Sequence, residues 1–447
     1  MSRFSILFCK DQHRRLWSLA IPIIISNISV PLLGLVDTAM VGHLAEAYYL
    51  AAVALGSTVI SLMIWLCGFL RMSTTGLTAQ ASDSTTSQAK LLVQGTVMAV
   101  LLGLLLLVFQ QPIIQLALAL SDTSDEVAHY FQQYVSIRIW SMPLALVNLV
   151  FLGWLLGKRL PKVAMWQLII ANSVNILLDL WFIWGLGWGV AGAAWASVCA
   201  DITAFAVASY FVIQQWQKLQ LPQLKIIELL KQAGYQQLLS LNRDIFIRSL
   251  CLQLTLAFMT FYAARLGDHV LAANAVLLNL LLLISYALDG VAYYAEVEVG
   301  EAYGKKQWQK LTESVWLSWF WSGMIALGFA MVFYLLGPHL IALLTDIPHV
   351  RTTANNYVIW LALLPLLSFG CYLFDGVYIG LAKGKTMRNS MIFSTLVVFF
   401  PLWWLTKDWG NHALWLALSA FLLSRSLTLG LHFLQMQACI TSPNCDH

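Results

Sequence analysis

IPIIISNISVPLLGLVDTAMVGHL, residues 21–44, is an apolar span interrupted by Pro22, Pro31 and Gly34 and carrying one carboxylate, Asp37. A helix rises about 1.5 Å per residue, so roughly 20 apolar residues cross the hydrocarbon core of a bilayer. An acid inside such a run is costly unless it is protonated, paired or facing a wet cavity. Proline within a helix removes a backbone donor and frees a carbonyl, and a bend is the expected consequence. The stretch therefore reads as a bendable helix, hinged at Pro31 and Gly34, with Asp37 as a proton or cation switch. Pro22 also fits a simple first turn.

Composition extends this reading to the whole chain. Of the 447 residues 60% are hydrophobic and only 10% charged, and the mean hydropathy is +0.75. That is too little polar surface to wrap a water-soluble core. The formal charge of +4 is spread over many loops and forms no single basic face, which excludes nucleic acid as a partner. Seven cysteines, an odd number with no CxxC spacing, sit mostly in apolar runs and read as small packing residues without disulfide or metal roles. The first apolar run, about 27 residues, exceeds the roughly 7 to 15 of a signal-peptide core and is expected to stay as the first span.

Twelve apolar stretches qualify as membrane spans, centred near Ser29, Ile60, Val100, Val147, Asn175, Ser197, Leu254, Leu280, Met324, Leu366, Val397 and Leu422. With the N-terminus inside, the inner segments collect eighteen Lys and Arg residues, against Arg265, Arg351 and Lys407 outside. This asymmetry is what the positive-inside rule expects, and a miscounted span would have scrambled it. Both termini are predicted to be cytoplasmic and the protein to sit in the plasma (inner) membrane.

The two halves repeat. LAAVALGSTVISL from Leu50 matches LAANAVLLNLLLL from Leu271, and GKRLPK from Gly157 matches GLAKGK from Gly380, an offset near 223 residues. Six spans in each half is an even number, so the halves share one orientation and form a parallel repeat. The expected fold is an all-α integral membrane protein, twelve transmembrane helices in two parallel-repeat six-helix lobes around a central cavity. Expected boundaries are residues 1–214 for the first lobe, 215–237 for an amphipathic cytoplasmic linker and 238–447 for the second.

Carrying the offset along the chain shows which polar residues the second half does not repeat. Asp37 falls opposite Met259, Asn172 opposite Thr395, Asn175 opposite Val398, Asp179 opposite Leu402 and Asp201 opposite Ser424. Asn172, Asn175 and Asp179 share a helix face at i, i+3 and i+7. Asp37 and Asp179 each lie about six residues, or roughly 9 Å, from the outer end of their spans. Ser197 reaches a comparable level, with Asp201 one turn deeper. Two carboxylates, two amides and a hydroxyl at one depth suit a shared proton or a dehydrated Na⁺ held by Asp37, Asn175 and Asp179. The structural alternatives are interhelical hydrogen bonding for the asparagines and close packing for Ser197. Asp201 has Arg138 or Arg425 as bridge partners. In the second lobe Asp289 is a further network or substrate residue. Glu296, Glu298 and Glu301 are expected to pair with Lys305, Lys306 and Lys310, and Asp244 with Arg248 one turn on.

PLLGLVDTAMVGHL from Pro31, LRMSTTGLTAQAS from Leu70, NSVNILLDLWFIWGLGWGVAGAAWAS from Asn172 and YALDGVAYYAE from Tyr286 resemble the multidrug and toxic compound extrusion (MATE) transporters, within them the DinF-like branch. The resemblance covers essentially the whole chain. It implies a twelve-helix transporter exporting amphipathic, often cationic compounds in exchange for inward H⁺ or Na⁺. It also implies an ion-coupling site at Asp37, Asn175, Asp179 and Ser197, the last standing where relatives commonly have Thr. Asp83 stands where the family pattern often has Gly.

The expected function is secondary active multidrug efflux by alternating access, with no enzymatic activity and no cofactor. Amphipathic small molecules and the lipid bilayer are the expected partners, and the protein is expected to be a monomer. The absence of further acids at the depth of Asp37 and Asp179 favours H⁺ over Na⁺. A flippase for a lipid-linked precursor is the alternative within transport, for which only Arg138, Arg243, Arg248 and Arg425 offer phosphate ligands. A membrane-embedded enzyme using Asp37 and Asp179 would leave the parallel repeat unexplained.

Overall fold

Backbone amides have no water to bond in a bilayer, so apolar segments of this length must satisfy themselves as helices. The computed structural model describes residues 10–42, 47–121, 124–220 and 235–441, with 30–42, 47, 440 and 441 entering by backbone alone. It is all-helical over these residues. Eleven helical stretches among them are long and apolar enough to cross a membrane, and they carry the expected centres from Ile60 to Leu422. The first expected centre, Ser29, lies on α1 (Lys10–Gly42), whose backbone is helical through Pro22, Pro31 and Gly34. The side chain of Asp37 and the linker residues 221–234 lie outside the described residues.

Two compact units emerge, Ile25–Leu238 and Leu239–His447, the latter taking in Met1–Ile24. After α1 the first contains α2 (Ala47–Leu66), α3 (Phe69–Gln80), α4 (Thr85–Val108), α5 (Gln110–Ser121), α6 (Asp125–Arg138), α7 (Met142–Gly157), α8 (Pro161–Asp179) and α9 (Gly189–Gln217). The second contains α10 (Tyr235–Arg265, from Leu239), α11 (Asp268–Gly304), α12 (Trp308–Leu344), α13 (Pro348–Asn355), α14 (Val358–Gly380), α15 (Gly384–Phe393), α16 (Phe400–Thr406) and α17 (Asn411–Thr441). α5 and α13 are short helices that span counting does not reveal. A π-helical segment follows α8 at Leu180–Gly185, and another joins α15 to α16 at Ser394–Phe399.

The repeat is visible in the backbone. α7 ends at Gly157 and α14 at Gly380, and both run into the same turn, with Arg159 at φ 62° and Ala382 at φ 53°. In the first, the amide of Leu160 donates to the Leu155 carbonyl at 3.1 Å and that of Arg159 to Leu156 at 2.9 Å. In the second, Lys383 donates to Tyr378 at 3.0 Å and Ala382 to Ile379 at 2.9 Å. This is the paired bond of a Schellman helix end, which satisfies two terminal carbonyls. Asp83 ends α3 in a turn without positive φ, so an Asp fits where the family pattern often has Gly.

Close packing repeats as well. Gly153 and Gly157 form a G-x-x-x-G pair facing α3, where a Cβ on Gly153 would stand 2.5 Å from the Arg71 carbonyl oxygen. Gly376 and Gly380 form the matching pair, on which a Cβ would overlap the carbonyl oxygens of Ala292 and Glu296 in α11. Small residues let helix backbones meet where lipid offers no hydrophobic push between them. Around these contacts the first unit builds cores on Leu70, Val150 and Trp154, and on Ile60, Phe131 and Val190. The second builds one on Leu277, Leu361, Trp415 and Phe421. Large apolar residues such as Leu101, Val108, Phe261 and Leu343 are left exposed, as lipid-facing surfaces require.

In the second unit Arg15 bonds Glu298 at 2.9 Å, Lys305 bonds Glu301 at 2.9 Å, and Lys310 lies 3.9 Å from both glutamates. Arg248 reaches Asp375 of α14 at 2.5 Å, where Arg425 of α17 also bonds at 2.7 Å, and Asp244 is held by Arg388 at 2.7 Å. A guanidinium buried at mid-helix needs an acid at its own depth, and Asp375 supplies it across three helices.

Candidate functional site

The polar face of α8 is built by spacing. Asn175 and Asp179 are one turn apart and both are buried, and Asn172 one turn earlier is half-buried. α9 packs against this face. Asn175 Nδ2 donates to Ser197 Oγ at 3.4 Å, which joins two of the expected site residues across the helix pair. Asn172 Nδ2 turns instead towards α1, 3.4 Å from Ser29 Oγ and 3.5 Å from the Ser29 carbonyl. Ser29, a small hydroxyl residue in an apolar run, carries no charge or helix-breaking signal that would mark it in the sequence.

Asp179 is the last residue of α8, and the helix widens into the π segment directly after it. The amide of Leu186 donates to the Trp181 carbonyl at 2.9 Å, five residues back, and that of Trp188 to Phe182 at 2.9 Å. Such π-bulges concentrate at functional positions because the extra residue re-aims side chains and loosens the helix ladder. A buried carboxylate, an amide and a hydroxyl on one face can take up a proton or contribute oxygens to a small cation. An ionised carboxylate buried there requires a compensating partner.

Asp201, one turn beyond Ser197, is held by two groups. Arg138 Nη1 donates to its Oδ2 at 2.5 Å and Ser141 Oγ donates to the same oxygen at 2.6 Å. Of Arg138 and Arg425, Arg138 is the partner, and it is itself buried, while Arg425 bonds Asp375. Ser141 stands three residues after Arg138, a spacing that places both on one side of the helix end and could have been read from the sequence.

In the other unit Asp289 is half-buried in α11 and acts electrostatically on Tyr286 and Tyr372, the latter hydrogen-bonded to Ser285. Among the described residues no three His, Cys, Asp or Glu side chains gather as a metal site.

Comparison with known proteins gives a concordant result. The MatE family model matches residues 22–181 and again 245–405, once in each half. DNA damage-inducible protein F of Escherichia coli (strain K12) is 43% identical over 425 residues, 94% of this chain and 92% of that protein. The probable multidrug resistance protein NorM of Photorhabdus laumondii is 24% identical, with 91% of each covered. A solved MOP superfamily transporter from Pyrococcus furiosus superposes with a TM-score of 0.83 at 19% identity, covering 96% of both chains. At that identity the superposition speaks for the fold alone.

Proposed function

The chain belongs to the MatE family of multidrug and toxic compound efflux transporters, and from that premise we propose that it is a secondary active exporter exchanging amphipathic, often cationic compounds for inward H⁺. The observation that carries the proposal is the buried Asp179, on the same face as Asn175 and its Ser197 partner, inside an apolar helix long enough to cross a membrane. An acid in that setting is there to change charge. Na⁺ is the alternative coupling ion, with Asp37, Asn175 and Asp179 as its oxygen ligands.

In this mechanism Asp37 and Asp179 take up protons from outside. Neutralising them removes the charge that keeps the helix near Pro31 and Gly34 hydrated, so the bent form becomes relatively cheaper. Ion and substrate favour opposite states, and exchange follows. Asp201, bonded to Arg138 and Ser141, serves as a fixed structural ion pair. The transporter works as a monomer in the plasma (inner) membrane with both termini cytoplasmic.

The test is efflux of a fluorescent lipophilic cation from proteoliposomes under an imposed pH gradient and, separately, an imposed Na⁺ gradient. Wild type is expected to respond to the pH gradient, while Asp37→Asn and Asp179→Asn insert normally and lose the response. Gradient-driven efflux by both variants at the wild-type rate would remove these residues from coupling. Response to Na⁺ alone would exchange the ion.

A further inference from the structure

The polar end of the groove between α10 and α15 holds a cluster of charge that the first half lacks. Arg388 Nη1 donates to Asp244 Oδ1 at 2.7 Å, and Arg243 Nη2 and Nε approach the same oxygen at 3.3 and 3.4 Å. Asp244 is nearly enclosed, its side chain 5% exposed, whereas that of Arg243 is 63% exposed. Lys385, one helical turn before Asn389, is exposed on the same end of α15. The turn carrying Gly384 is pressed onto α10, where an added Cβ would stand 2.8 Å from Leu241 Cδ1 and 3.0 Å from Asp244 Cβ. Two guanidiniums thus share one acid, and Lys385 stands three residues before Arg388 on the same helix. Asp375, the other acid of α10, α14 and α15, is occupied by Arg248 and Arg425.

Arg388 spends Nε and Nη2 on Asn389 Oδ1 at 3.2 and 3.0 Å, so its donors are engaged. Arg243, with five N–H groups and one distant acceptor, and Lys385, with three, have donors to give. Beyond them the surface is apolar along both helices. Phe246, Leu250, Leu254 and Phe261 are exposed at i+3, i+7, i+11 and i+18 from Arg243. Phe393, Leu396 and Val397 are exposed above Asn389. Further along, α10 meets α16, with Phe258 4.7 Å from the Trp403 ring and 5.1 Å from Phe400.

A cluster needed by the fold itself would recur 223 residues earlier. There the chain has Ala20, Ile21 and Met165 opposite Arg243, Asp244 and Arg388, and only Lys162 is kept opposite Lys385. A net-positive end on an exposed apolar groove matches an amphiphile with an anionic head and hydrocarbon tails.

We propose that the α10–α15 groove binds an anionic phospholipid, its phosphate on Arg243 and Lys385, with Arg388 and Asp244 holding the two helices in register and the acyl chains along Phe246, Leu250 and Phe393. The orientation proposed above puts the headgroup in the cytoplasmic leaflet; the site itself is independent of the transport reading.

The experiment uses the full-length protein, delipidated in neutral detergent and titrated with dioleoyl-phosphatidylglycerol, dioleoyl-phosphatidylcholine or inorganic phosphate. Bound lipid is read by native mass spectrometry, and the unfolding midpoint is followed in parallel. Phosphatidylglycerol is expected to bind and raise the midpoint, and the other two are not. Arg243→Gln with Lys385→Gln, both at exposed side chains and therefore compatible with folding, is expected to weaken that binding about thirtyfold, the product of two surface cations. Lys162→Gln with Lys218→Gln, exposed lysines of the first unit, serves as the control and is expected to leave it unchanged. Equal binding by wild type and the Arg243/Lys385 variant would overturn the proposal. So would an equal loss in the control pair, equal binding of phosphatidylcholine, or an equal midpoint rise with inorganic phosphate alone.

Discussion

Asp201 shows how far a single charged residue in this bundle depends on its partners. Its Oδ2 receives both Arg138 and Ser141, at 2.5 and 2.6 Å, so the carboxylate and the guanidinium compensate each other within the apolar span. Breaking one side of such a pair costs more than the pair contributes, because a charge is left buried and uncompensated. Asp201→Asn is therefore expected to lower stability by about 3 kcal/mol. Replacing both partners, Arg138→Met with Asp201→Leu, should recover most of the loss. Thermal unfolding of the purified variants measures this, and an Asp201→Asn protein as stable as wild type would mean that solvent carries the charge of Arg138.

At the scale of helices, approach distance is the governing quantity. α14 meets α11 through Gly376 and Gly380, and a methyl group on Gly376 would overlap the Ala292 carbonyl. Gly376→Ala must push two backbones apart and is expected to cost about 1–3 kcal/mol. Gly153→Ala on α7 should act in the same direction, since Arg71 stands in the corresponding place. Unfolding midpoints of both variants near wild type would show that these contacts relax without cost.

The turn that ends α14 also carries a titrating group. Burial penalises the Lys383 ammonium, whose nearest partner is the Met436 sulfur at 3.1 Å, and lowers its pKa below the ordinary 10.5. The folded protein then loses this proton at a lower pH than the unfolded chain. The cost of burying the ammonium is fully present below the folded value and fades as pH rises towards 10.5, so stability gains across that window. Lys383→Met is expected to flatten this part of the stability-against-pH curve, measurable by unfolding at a series of alkaline pH values.

Across the whole molecule, the prediction concerns topology. The expected even number of spans, with eighteen basic residues on one side, predicts that the two termini lie together in the cytoplasm. Reporters active only inside the cell, fused separately after His447 and before Met1, are both expected to be active. Activity of only one would mean an odd number of crossings and would reverse one lobe of the repeat.

Hydropathy, loop charge and the internal repeat were enough to read an all-helical bundle in two related halves from the sequence, because a bilayer forbids nearly every other backbone arrangement. Helical periodicity was likewise enough to put Asn172, Asn175 and Asp179 on one face. Which neighbour each residue meets was not legible, since it depends on helix rotation and depth at the level of single turns. Asn172 turns to Ser29 whereas Asn175 meets Ser197, and Arg248 reaches Asp375 on another helix. The π segment after Asp179 and the glycine contacts of α7 and α14 likewise belong to packing: they are set by how closely two backbones approach, a quantity that no one-dimensional pattern contains.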